Sequence, residues 1–478
     1  MARLRADATG TGAVCGPVAE PSGALRSAGG SARADGTLEA AGGLDAAAPS
    51  AERAVAELCL RMAAAGHRTI HDPAAFARRV LPAQGPAWFG SCDPALLSAR
   101  PPESGPRVLF VEDSIPLRAQ GSGFVRANDI LRAMAGFGAR VSVFPVLGNG
   151  FDPAEIAAGI PDSAEALHDR SLGQLEDFLA ERADGFDAIW IARSHNMAKA
   201  APALRRALGR WAARPRLILD AEAVTSVRVA AKHALDGEAF DLDAAVAEEF
   251  ADAGMCDAIV ALSEAEAALL ARAGYPGAAI LGHARPADPT PRAFDARAGM
   301  LFVGAIHDKD SPNLDGLRWF ADEVLPLIDK VLGWRTRLTV AGYVAPDVDI
   351  ARLAEHPRIS WRGPTQDLRP LYDQHRVFVA PTRFAAGLPY KLHEAAFFGL
   401  PIVATPILAE QVGWTDGAEL LAAPNLDPAE TADRALALLG DEALWTRVRD
   451  AALARIAAEH DPADFAQGVA RALGARPA

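Results

Sequence analysis

Residues 383–405 read RFAAGLPYKLHEAAFFGLPIVAT and follow the apolar run VFVAP at 377–381. The order is strand, glycine loop, helix opening near Tyr390, stop at Gly399, and a second strand from Pro401 to Thr405. That is one repeat of a parallel sheet with a covering helix. Gly387 lets the backbone approach a ligand closely, and the free N–H groups of the helix start favour an anion. Lys391 falls in the first turn, where a cation opposes the helix dipole at a cost of about 0.3 to 1 kcal/mol. A bound phosphate offsets that cost. Arg383, at the strand end, adds a second cation able to grip phosphate oxygens in a bidentate manner. Glu394, one turn beyond Lys391, is placed to accept from a ribose diol. The plainer reading is a surface pair of Lys391 and Glu394 worth a few tenths of a kcal/mol. The shared register of Arg383, Gly387, Pro389 and Gly399 argues for the ligand.

The same texture extends both ways. Upstream lie RVLFVED (107–113), RVSVFPV (140–146), AIWIARS (188–194), RLILDAE (216–222) and AIVALSE (258–264). Nearer the opening stretch lie MLFVGAI (300–306), RLTVAGY (337–343), ISWRG (359–363), VFVAP and PIVAT. Near-continuous apolar runs alternating with helical patterns predict α/β architecture with parallel sheets buried on both faces. Ten runs exceed one comfortable sheet, and the proline-rich HARPADPTPRAFDARAG (283–299) separates two series. The predicted layout is a Gly/Ala-rich disordered leader over 1–50, a helical extension and linker over 51–104, and a first Rossmann-like domain over 105–283. An interdomain linker over 284–299 and a second Rossmann-like domain over 300–478 complete it. Two such domains face each other across a cleft at the carboxyl ends of their strands.

A chain of 478 residues, half of them apolar, is long enough for several cores. Its net charge of -13 disfavours nucleic acid as a partner. Cys15, Cys59, Cys92 and Cys256 are too far apart for a zinc site or a disulfide scaffold. No signal peptide and no run of eighteen apolar residues is found, so the expectation is a cytoplasmic protein without a transmembrane segment, peripheral membrane contact being left open.

The 383–405 stretch closely resembles the donor-binding motif of retaining GT-B glycosyltransferases of the "glycosyl transferases group one" superfamily, in the form R…GxPxKxxEAxxxGxPVVAT. The likeness extends over 107–470. It implies a GT-B fold, a nucleotide diphosphate sugar as donor, and donor contacts from Gly304, Lys309, Arg383, Gly387, Leu388, Pro389, Lys391 and Glu394. Arg383 and Lys391 are implied to hold the diphosphate and Glu394 the ribose. Many relatives carry a further glutamate on the transferred sugar eight residues before the ribose-binding one, where this chain has Ala386. The run LEAAGGLDAAAPSAERAVAELCLRMAAAGHRTIHDP (38–73) resembles the carboxy-terminal end of GT-A glycosyltransferases, with Glu57 where an aspartate is usual. That implies the remnant of a fused enzyme.

In the first domain, Gly121-Ser122-Gly123 precedes an amphipathic helix carrying Val125, Ile130, Leu131 and Met134. The resemblance puts Gly121 and Gly123 at the cleft floor. The dinucleotide fingerprint wants a glycine where Arg126 stands, so an NAD site is disfavoured. His195, after AIWIARS, stands where relatives often contact the transferred sugar, and Glu222, after RLILDA, either orients an acceptor hydroxyl or caps the next helix. The cations Arg383, Lys391 and Lys309, without a convincing base or nucleophile, point to retention, with His195, Arg383 and Lys391 as the catalytic set. No metal and no cofactor are expected, since side-chain cations do the work of Mg²⁺. The acceptor is expected to be a glycan or lipid-linked glycan, with surface polysaccharide assembly suggested by the fused-enzyme likeness. A silent donor-binding subunit and a nucleotide-sugar epimerase of the same architecture are the rival readings.

Overall fold

The computed structural model describes residues 105–475, apart from Asn149, Asp162, Trp334, Arg335 and Gln366. The expected leader, the helical extension and the GT-A-like run lie outside the described residues. Two sheets form, all of whose strand pairs are parallel. The first holds β1 (Arg107–Glu112), β2 (Arg140–Pro145), β3 (Ala164–Ala166), β4 (Ala188–Ala192), β5 (Arg216–Asp220), β6 (Ala258–Ala261) and β7 (Ala279–Ile280), in the order β3-β2-β1-β4-β5-β6-β7. The second holds β8 (Met300–Val303), β9 (Leu338–Ala341), β10 (Ile359–Gly363), β11 (Val377–Ala380), β12 (Ile402–Ala404) and β13 (Leu421–Ala422), in the order β10-β9-β8-β11-β12-β13. β7 and β13 are edge strands of two residues and β3 an edge strand reading Ala-Glu-Ala, so none carries the apolar run by which the other ten are read.

The strands lack alternation because helices cover both faces of each sheet. In the first, Leu109, Val111, Ile189 and Ile191 enter one core, while Val108, Phe110, Ala188 and Trp190 enter the opposite one. In the second, Met300 and Phe302 part from Leu301 and Val303 in the same way. In each sheet the strand order reverses once, between β1 and β4 and between β8 and β11. A crevice opens at such a switch point, outside the carboxyl ends of the strands.

The division between domains is less simple than the sequence suggests. The last helix, Pro462–Leu473, returns to the first sheet, where Phe465, Val469, Ala472 and Leu473 pack with Phe110 and Trp190. Val125, from the helix Ser122–Gly136, instead joins the second domain's core beside Leu301 and Tyr390. Arg126, where a dinucleotide site wants glycine, is buried and structural: it donates to Asp220 Oδ2 at 2.7 Å and to the Leu281 carbonyl at 2.8 Å, pinning the start of the linker. Within the described residues no helix is long and apolar enough to cross a membrane.

Two glycines bring the ends of β8 and β9 together. Gly342 has φ 143°, and a Cβ there stands 2.2 Å from the Gly304 carbonyl oxygen. Neither backbone has room to yield, so Gly342→Ala is expected to destabilise the protein by about 2 kcal/mol or more, read as a lowered denaturant midpoint.

Candidate functional site

The helix Tyr390–Phe397 starts after Pro389 with no side chain capping it. Lys391, in that first turn, is half-buried. Its ammonium donates to Thr382 Oγ1 at 3.0 Å and to Asn313 Oδ1, and lies 5.2 Å from the Phe302 ring centroid. Both oxygens are neutral, and among the described residues no carboxylate forms an ion pair with it. Desolvation therefore pushes its pKa down to about 7.

Arg383 is held differently. Its Nε and Nη2 donate to the two oxygens of Asp315, at 2.9 and 2.6 Å, a bidentate pair that raises its pKa. Asn313 and Asp315 both come from the first turn of the helix Pro312–Trp319, so one helix end seats both cations. The side amide of Asn313 also donates to the Ala305 carbonyl at 2.7 Å, and a Cβ on Gly304 stands 2.8 Å from that amide nitrogen. Gly304 is thus a close-approach glycine. Lys309 lies exposed in the loop after β8, with no hydrogen bond or ion pair to the other expected donor residues. His307, in the same loop, comes 3.9 Å from where a Cβ on Gly121 stands.

Glu394 sits one turn beyond Lys391, with both oxygens engaged. Oε1 accepts from Arg285 at 3.2 Å and Oε2 from the Tyr372 hydroxyl at 3.0 Å. Burial raises its pKa against the opposing charge of Arg285. Arg285 comes from the linker, lies 4.8 Å from the Phe398 ring centroid and also reaches the Tyr390 hydroxyl at 3.1 Å. The loop before the helix touches the first domain: a Cβ on Gly387, at φ 73°, stands 3.0 Å from Ala223 Cβ, and Leu388 Cδ1 lies 3.7 Å from that of Gly282. Pro389 closes the loop as the residue before the helix.

Across the cleft, the ends of β1, β4 and β5 carry an ionic cluster. Arg193, held at φ 74° between β4 and the helix Ser194–Leu208, reaches Glu112 Oε1 at 2.7 Å, Asp113 Oδ2 at 3.2 Å and Glu222 Oε2 at 2.9 Å. His195 Nε2 lies 2.7 Å from Asp113 Oδ1, with the imidazole largely exposed. Burial pushes Glu112 up to about 7, and burial also raises Glu222. In Asp113 burial is outweighed by the hydrogen bond from His195 and the charge of Arg193, which leave its carboxyl below the usual range. Glu222 is not a helix cap: its carboxylate pairs with Arg193 and fills the space beside Gly123, where a Cβ stands 1.9 Å from Oε1.

The structure thus brings Lys391, Arg383, Glu394, Gly304 and Gly387 around one helix start, and Gly121, Gly123, His195 and Glu222 around the facing strand ends. Thr382, Asn313, Asp315, Arg285, Tyr372, Glu112, Asp113 and Arg193 escape the sequence reading. Thr382 lies nine positions before its partner Lys391, and the others act by pairing with residues 22 or more positions away, which no local spacing displays.

Residues 297–441 match the model of a family described as "Glycosyl transferases group 1". No curated protein matches the chain. Among solved structures it is similar to sucrose-phosphate synthase from Thermosynechococcus elongatus, at 14% identity over 77% of this chain and 98% of that one, with a TM-score of 0.58. It is also similar to HepE of Anabaena in complex with UDP and glucose, at 16% identity over 77% of this chain and 100% of that one, with a TM-score of 0.56. A third is α,α-trehalose 6-phosphate synthase from Burkholderia multivorans, at 13% identity over 78% and 98% of the two chains, with a TM-score of 0.51. At such identities the likeness speaks to fold. The protein therefore has the two-domain GT-B fold, and residues 297–441 within it match the glycosyl transferases group 1 model.

Proposed function

We propose that this chain is a glycosyltransferase that moves a sugar from a nucleotide diphosphate sugar to a hydroxyl of a glycan or lipid-linked glycan, with retention and without a metal. The observation that carries the reading is Lys391: a half-buried cation at an uncapped helix start, seated on two neutral oxygens and without a carboxylate. Such a group is costly until an anion arrives. A diphosphate supplies it, and the N–H groups of the helix start add to the grip. Arg383, clamped through Nε and Nη2, keeps Nη1 for a phosphate oxygen. Glu394 meets the ribose diol with the lone pairs that Arg285 and Tyr372 leave.

In the retaining step the acceptor oxygen bonds to the anomeric carbon on the face from which the diphosphate departs. The bond from that carbon to the phosphate oxygen breaks, and the acceptor proton passes to the leaving diphosphate. The protein neutralises developing charge and aligns the partners. Inversion is the second reading, favoured by one observation: His195 Nε2 lies 2.7 Å from Asp113 Oδ1, the arrangement of an oriented base. The anomeric coupling constant of the product by proton NMR separates the two. Retention is expected, with transfer persisting in EDTA; an inverted product lost in His195→Ala establishes the second reading, and loss of transfer in EDTA overturns the metal-free one.

The pH dependence of donor binding follows from Lys391. A diphosphate favours the ammonium, so its pKa rises above about 7 on binding. Affinity is then level below pH 7 and falls above it, by up to about tenfold per pH unit. Titration calorimetry with UDP-glucose, whose diphosphate does not titrate in that range, is expected to show this fall between pH 7 and 9. Lys391→Arg is expected to flatten it, and Lys391→Ala to flatten it and weaken binding about 10- to 100-fold. Binding that does not change with pH in the wild type removes Lys391 from the diphosphate. UDP-glucose binding without transfer to any acceptor of a broad glycan panel assigns the chain as a silent subunit.

A further inference from the structure

Beneath the strand ends of the first domain, two acids hold a piece of backbone rather than a cation. Glu266 lies in the first turn of the helix Glu264–Arg272 and is 5% exposed. Its Oε1 accepts from the Val224 N–H at 3.0 Å and its Oε2 from the Leu262 N–H at 3.3 Å. The carboxylate thus ties the turn after β5 to the end of β6. Burial raises its pKa, with those two N–H groups opposing the shift. Glu249, close enough to act on that charge, accepts from the N–H groups of Thr225 and Ser226 at 2.9 and 2.8 Å. Three consecutive N–H groups around the start of the helix Thr225–Asp236, which has no side-chain cap of its own, are therefore held by acids from two other helices. Just before that start the chain turns through Glu222 at φ 54°.

The backbone held in this way is the surface under the loop that precedes the Lys391 helix. A Cβ on Gly387 would have as its nearest neighbours Ala223 Cβ at 3.0 Å, Leu262 Cδ1 at 3.3 Å and the Glu222 carbonyl oxygen at 3.5 Å. All three belong to the two segments that Glu266 joins. A Cβ on Gly282 lies 3.7 Å from Leu388 Cδ1 and 3.9 Å from the Leu262 carbonyl oxygen, so Leu388 rests on the same patch. In the reading above Lys391 and Arg383 take the diphosphate and Glu394 the ribose, which leaves the loop on the other side of Lys391 to meet the transferred sugar. Resting on that reading, we propose that Glu266 is a positioning residue for the sugar end of the donor: through the backbone of Val224 and Leu262 it fixes the first-domain seat of the Gly387–Leu388 loop. A carboxylate suits the task because it offers two acceptor oxygens and no donor. A glutamine in its place offers one oxygen and turns an amide N–H toward a backbone N–H.

Hydrogen-exchange mass spectrometry and titration calorimetry on the full-length protein test this. Glu266→Gln is expected to speed exchange of the 385–389 segment about tenfold, while the helix Tyr390–Phe397 keeps its protection. UDP affinity is expected to stay within about twofold of the wild type, and UDP-glucose to bind about tenfold more weakly. A merely structural role lowers the melting temperature without separating the two ligands. Equal weakening of UDP and UDP-glucose, or unchanged exchange in 385–389, overturns the proposal. Where Glu266→Gln fails to fold, Ala223→Val crowds the same seat without touching the carboxylate, and the same split between the two ligands is expected. A wild type that binds neither UDP nor UDP-glucose overturns the donor reading itself and the proposal with it. A wild type that binds both, in a ratio that neither variant changes, removes only the role of Glu266.

Discussion

A lysine ammonium seated between a threonine hydroxyl and an asparagine amide oxygen, without a carboxylate, is the interaction around which the second domain is arranged. Holding a cation on neutral oxygens requires that those oxygens be fixed. Asn313 is fixed through the Ala305 carbonyl, which needs Gly304 free of a side chain. Gly304 in turn lies against Gly342 at the end of the neighbouring strand. The seat is thus continuous with the ends of β8 and β9, and Thr382 ties it to the end of β11. Ligand chemistry and strand geometry are one constraint here, and Asp315 extends it by fixing the plane of Arg383.

The domains are joined by contacts that also define the site. Arg285, from the linker, reaches the same helix as Lys391 through Glu394 and Tyr390, and the Gly387 loop rests on Ala223 at the end of the first sheet. The crossing of the last helix back onto the first sheet adds a second tie. At that crossing His460 Nδ1 donates to the His283 carbonyl at 2.9 Å, and the His393 and His460 ring centroids lie 4.4 Å apart. All three imidazoles are buried, and desolvation holds each below its ordinary pKa, His283 down to about 3. Neutral rings suit a junction that already carries Arg126 and Arg285.

Two of the five non-glycine residues with positive φ among the described residues lie where the strands of the first sheet end. Arg193 and Glu222 occupy the left-handed region at φ 74° and 54°, unusual for residues with long side chains. Their ion pair spans the mouth of the first sheet, with Asp113 and His195 beside it. Strain of about 1 to 3 kcal/mol per such residue persists only where surrounding contacts over-determine the conformation. Here three carboxylates around one guanidinium supply those contacts, at the strand ends of the first domain.

The sequence alone determined the sheets, because a parallel strand buried on both faces leaves a continuous apolar run that needs no partner to be seen. β1, β4, β8 and β11 are legible for that reason, whereas β7 and β13 hold two residues each and β3 is interrupted by Glu165. It also determined the helix start with Gly387, Lys391 and Glu394, since a misplaced cation one turn from a carboxylate is a local pattern. Tertiary structure alone decided that Lys391 lacks a carboxylate, that Arg383 is clamped by Asp315, and that Glu222 pairs with Arg193 rather than capping a helix. Each of those facts is a pairing across 29 to 78 positions of chain, and spacing along a sequence carries no record of which distant side chains the fold brings within hydrogen-bonding reach.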